Sequence, residues 1–165
     1  MRSVGIHIVL LSLSLGLSGT AWAQASTPQA DPAIAAQLKA LDYKYEVDAD
    51  GDYKMTFDID EEGRRSQLVF VRSAVDDYAG YKVREIWSPG YKASSDVFPS
   101  AVANRLLEAS MTSKMGGWGK QGTAAVFIVR IPADADKDAL DAAITAAFNS
   151  ADQMEAELTP GKDDL

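Results

Sequence analysis

The chain contains no cysteine and a single histidine, His7. That histidine falls in an N-terminal segment with the composition of an export signal. Arg2 supplies the positive start, Ile6 to Leu17 a nearly unbroken apolar run, and Ala21-Trp22-Ala23 the small-x-small pattern read by signal peptidase. Cleavage is expected after Ala23, with residues 1–23 removed and 142 of the 165 residues retained. The mature chain would then hold neither thiol nor imidazole. This excludes Ser-His and Cys-His nucleophilic catalysis, zinc sites built on Cys or His, haem ligation by His, and disulfides. No catalytic residue, metal site or cofactor is expected, and the chain reads as a non-enzyme.

Two further scarcities narrow the location and the partners. The Ile6–Leu17 run is too short for a lasting membrane span, and no later stretch is more apolar. The expected location is therefore periplasmic or secreted. Clustered basic charge is also missing: 16 Lys and Arg stand against 24 Asp and Glu, for a formal net charge of −8. Losing Arg2 with the leader makes it −9. Lys44, Lys54, Lys82, Lys92, Lys114 and Lys120 are scattered, which argues against nucleic acid and anionic lipid as partners.

What is present reads as one α+β domain over residues 31–159, after a polar leader at 24–30 and before an acidic tail at 160–165. Asp31-Pro32 opens a helix over 32–42, with Ile34, Leu38 and Leu41 on one face. The period then becomes two. Tyr43, Tyr45 and Val47 precede the turn Asp48-Ala49-Asp50-Gly51, and Tyr53, Met55, Phe57 and Ile59 follow it, as in a β-hairpin. Gln67–Arg72 reads as a central strand and Tyr81–Trp87 as the next, with Ser88–Asp96 as a loop holding Pro89-Gly90. Phe98-Pro99 leads into a second helix that fails at Gly116-Gly117, with a short strand at Trp118–Lys120. Thr123–Ile131 is the most apolar strand, and Asp134 or Asp136 caps a last, Ala-rich helix. The expected order is α-β-β-β-β-α-β-(β)-α, an antiparallel sheet of five to six strands packed with three helices.

Four constellations invite chemistry. Asp48–Asp52 resembles a calcium loop, but Phe57 stands where a bidentate Glu belongs and strand patterns flank it, so a hairpin turn explains the same residues. A calcium or small-ligand site there is the alternative function. Asp58, Asp60, Glu61 and Glu62 could pair for acid/base work only in an enclosed cleft, and they cluster at a strand end. Ser110 and Lys114 have the spacing of a Ser-Lys dyad, although a lysine near a helix C-terminus is favoured by the macrodipole anyway. Gly116-Gly117-Trp118-Gly119 lacks the context of a phosphate loop and fits an edge strand with a bulge. The tyrosines and Trp87 of the strand region suit cross-strand packing.

The sequence from Ile34 to Leu158 resembles the YbjN domain family. The resemblance is carried by LKALDYKYEVDADGDYKMTFD (Leu38–Asp58), by QLVFVR, by REIW, and by FIVRIP followed by the Ala-rich helix. It implies a fold similar to class I type III secretion chaperones and a small domain that binds other proteins, often as a dimer, with no known catalytic residues. Members of that family are usually cytoplasmic, whereas this chain carries an export signal, and its Gly116–Gly119 segment is richer in glycine. The expected interface residues are Leu107 and Met111, on a second-helix stripe wider than one sheet contact needs, and Trp118, for which core or sheet-edge packing is the favoured alternative. A homodimer is the expected association, with any other protein partner unidentified.

Overall fold

The computed structural model describes residues 29–59 and 65–161. The expected signal at 1–23, most of the expected leader at 24–30, the carboxylates Asp60, Glu61 and Glu62, and the end of the acidic tail lie outside the described residues. Among the described residues nine elements follow in order: α1 (Pro32–Ala40), β1 (Glu46–Val47), β2 (Tyr53–Asp58), β3 (Ser66–Tyr78), β4 (Tyr81–Lys92), α2 (Ser100–Thr112), β5 (Gly116–Gln121), β6 (Ala124–Pro132) and α3 (Lys137–Leu158). The strands form one six-stranded sheet in the order β1-β2-β3-β4-β6-β5, and every neighbouring pair is antiparallel. The architecture is the α+β layout that the hydropathy pattern predicts. Among the described residues, no helix is long and apolar enough to cross a membrane.

The core follows from the strand alternation. Tyr53 and Met55, Val69 and Val71, Ile86, and Phe127, Val129 and Ile131 are buried together with Leu140, Ala143, Ile144 and Ala147 of α3. Small residues on α3 let it lie close over β3, β4 and β6. Asp31 caps α1 by accepting the Ala33 N–H at 2.9 Å, and Asp136 caps α3 through the Ala139 N–H at 2.9 Å. Ile34 and Leu38 carry α1 into the same core.

Several boundaries differ from those the sequence predicts. The first strand shrinks from Tyr43–Val47 to two residues. Asp42 takes a left-handed φ of 59°, and the Tyr43 ring turns inward onto Phe57, its hydroxyl donating to Asp141 at 2.5 Å. Burial, followed by that carboxylate, pushes the Tyr43 hydroxyl up to about 12. Strand β3 runs six residues past Arg72, and β4 runs through the expected Pro89-Gly90 loop to Lys92. Both extensions carry register shifts, between Val71 and Val75 and between Pro89 and Tyr91. A proline that cannot donate to a ladder is tolerated at such a bulge. The Gln67 amide fixes it by donating to the Ser88 hydroxyl at 2.9 Å and the Pro89 carbonyl at 2.7 Å. Helix α2 stops at Thr112, short of the glycines, where Ser113 becomes extended. The glycines belong to β5, whose register against β6 is continuous, without the expected bulge.

One polar cluster ties the N-terminal half together. Arg84 is 3% exposed, on the inward face beside Ile86. Its guanidinium donates to the Arg72 carbonyl at 2.7 Å, to the Ser73 carbonyl at 2.9 Å, and to the Asp31 carboxylate. The Ser73 hydroxyl accepts the Asp31 N–H at 3.0 Å and donates to the Gly51 carbonyl at 2.5 Å. The start of α1, the β1–β2 turn and the β3 bulge are thereby joined around one buried charge.

Candidate interaction surface

Helix α2 begins after Pro99, without a side-chain cap, and rests mainly on β5. Its inner stripe, Val102, Leu106 and Ala109, packs with Ala125, Met154 and Leu158 in a second, smaller core. Two polar fixtures hold it there. Arg105 donates to both carboxylate oxygens of Glu157 on α3, at 2.6 and 2.7 Å. These bonds hold the Glu157 carboxyl below its usual range. The Ser110 hydroxyl donates to the Leu106 carbonyl at 2.9 Å and accepts the Trp118 N–H of β5 at 2.8 Å. The serine of the Ser110–Lys114 spacing is thus occupied with backbone groups at a helix–strand contact.

With its inner face fixed in this way, α2 presents an apolar pair to solvent. Leu107 is 65% exposed and Met111, one turn on, is 86% exposed. Leu107 also borders a groove of about 210 Å³ lined by Phe98, Ala103, Leu106 and Trp118. The third expected interface residue, Trp118, sits differently. Its ring is half-buried, meets Phe127 edge-on at 5.4 Å, and packs with both core clusters. It lies so close over Gly90 that a methyl group there would stand 2.5 Å from the ring. Trp118 forms the floor of the groove, while Leu107 and Met111 form the surface.

The Asp-rich segment is a hairpin turn. Asp48 Oδ1 accepts the N–H groups of Asp50 and Asp52, each at 2.9 Å, and Gly51 takes φ 79°. Asp52 Oδ1 accepts the Ser73 N–H at 2.7 Å. Among the described residues, no group of three His, Cys, Asp or Glu side chains is placed to hold a metal ion. Burial raises the Asp52 carboxyl above its ordinary range, against the Ser73 N–H, and the Asp48 and Asp50 charges add to the rise. A folded-state value above the unfolded one means that the ionised form opposes folding, and the opposition is relieved as pH falls through the folded value. Asp52→Asn, which keeps the acceptor, should leave the urea midpoint at pH 7 unchanged or higher. A lower midpoint would mean that the ionised carboxylate stabilises the fold, and a calcium-induced rise in melting temperature lost in the variant would make it a ligand.

The same carboxylates border a trough of about 600 Å³ on the sheet surface, together with Arg72, Glu85 and Trp87. The aromatic floor there is already used: Trp87 stacks on Phe70 with centroids 4.1 Å apart and planes 7° apart. Tyr45 meets Tyr53 and Tyr91 meets Phe98 edge-on, so these aromatics pack with one another. The exceptions are Tyr78 and Tyr81, paired across the exposed tip of the β3–β4 hairpin. Sequence reasoning missed that tip. Its signal was Asp77 with Gly80, since the Gly80 N–H donates to Asp77 Oδ1 at 3.0 Å and φ is 87°. It also missed the Arg105–Glu157 clasp, which spans 52 residues and leaves no local pattern. No protein-family model matches the chain, and no curated protein matches it.

Proposed function

We propose that this chain is a non-enzymatic, exported protein-interaction module of the YbjN-like type, which associates with a second copy of itself through α2. The observation that carries this is the exposed Leu107–Met111 pair on a helix whose other side is bonded to β5 and α3. A rigid helix loses little backbone freedom when covered, and burial of its apolar pair drives association. The local charge does not oppose a like partner. Glu108 and Lys114 place one charge of each sign near this face, and Arg105 is neutralised by Glu157. Two copies meeting here across a two-fold axis therefore add little to the repulsion of a chain with net charge −8.

Light scattering during size exclusion of the purified protein tests this directly. The unmodified protein is expected to run as a dimer. Leu107→Ser with Met111→Ser should give a monomer with unchanged circular dichroism, because neither side chain belongs to the core. A monomeric unmodified protein, or a double variant that stays dimeric or unfolds, refutes the assignment of this face.

A further inference from the structure

We propose that Met111, with Met115 beyond the end of α2, is an oxidation site through which a hydroperoxide releases the association of two copies. This rests on the α2 interface proposed above and adds a control to it. In a chain without cysteine, thioethers are the only sulfur available to peroxide. The described methionines fall into two pairs. Met55 and Met154 are 1% and 4% exposed, whereas Met111 and Met115 are 86% and 43% exposed. Peroxide therefore reaches one end of α2 and not the core.

The step is a two-electron oxygen transfer. The sulfur lone pair attacks the terminal peroxide oxygen, an S–O bond forms, the O–O bond breaks, and the proton on the transferred oxygen passes to the departing oxygen. The thioether is oxidised to a sulfoxide while the hydroperoxide is reduced to water or an alcohol. In the free subunit the new oxygen faces water, so the fold is undisturbed. In the dimer it would be pressed against side chains such as Leu107 that donate no hydrogen bond, which should weaken association about tenfold or more. Because the dimer covers Met111, peroxide acts on the free subunit, and oxidation should slow as protein concentration rises.

The test treats the protein with hydrogen peroxide, maps the added oxygen by peptide mass spectrometry, and follows the solution mass by light scattering. Expected are sulfoxides at Met111 and Met115 ahead of Met55 and Met154, loss of dimer, and slower oxidation at high protein concentration. A variant with Met111→Leu and Met115→Leu should remain dimeric after the same treatment. A dimer that survives complete oxidation of Met111 overturns this proposal and leaves the interface standing. A protein that is monomeric before treatment overturns both.

Discussion

Arg84→Met is expected to cost about 3–5 kcal/mol of folding stability, the range for breaking a buried ion pair from one side. The side chain is replaced by one of similar reach, so little volume is lost. What is lost is the donor to two bulge carbonyls and to the Asp31 carboxylate. The two bulge carbonyls lose their donor where water reaches them poorly, and the Asp31 carboxylate, whose side chain is 27% exposed, is re-solvated only in part. The damage should spread, because Asp31 also caps α1 and the Ser73 hydroxyl links it to the β1–β2 turn. Urea denaturation measures the effect. Adding Asp31→Ala should cost less in the Arg84→Met background than in the unmodified protein, because the carboxylate it removes is already unpaired. A loss below about 1 kcal/mol would mean that water or a neighbouring donor replaces the guanidinium.

The second large effect is expected at Trp118. Truncation to alanine removes a ring wedged between Gly90 and Phe127, at the junction of both cores. Large aromatic truncations of this kind cost about 3–5 kcal/mol, because the surroundings collapse only in part. Gly90 cannot fill the space, and the bulge beside it is fixed by the Gln67 amide. Thermal unfolding should show a lowered midpoint with secondary structure retained below it. The same variant separates two roles for the residue. A stability loss near the expected size makes Trp118 a support beneath the α2 surface. Unchanged stability with abolished self-association would make it a direct contact instead.

How far the sequence disclosed these features depends on distance along the chain. The hairpin from Tyr43 to Ile59, the apolar β6 and the amphipathic α2 and α3 are each written in a local period. Arg84 shares the inward face with Ile86, two residues on, as strand alternation requires. Its counter-charge, Asp31, lies 53 residues away, and no local pattern could pair them. Pro89-Gly90 read as a loop because proline and glycine usually break strands. The compensation comes from Gln67 below and from Trp118, which occupies the space a larger residue at position 90 would need. The extension of β3 past Arg72 was illegible for another reason: Ala74 to Tyr78 all face water, so alternation is lost. At the interaction surface, Leu107 and Met111 were legible as an over-wide stripe. The placement of Trp118 beneath them required the register of β5 on β6.

The bond from the Trp118 N–H to Ser110 bears on how the edge of the sheet is protected. A sheet invites polymerisation wherever an outermost strand offers a run of unsatisfied donors to another chain. At one end of this sheet the outermost strand is two residues long, too short to seat a foreign strand firmly. At the other, a serine hydroxyl on the neighbouring helix occupies a backbone donor in the middle of β5. Both outermost strands are thus poor templates for ribbon growth, whereas the side-by-side helix contact proposed for α2 uses no strand edge. A contact of that kind, repeated by a two-fold rotation, closes after two subunits and stops.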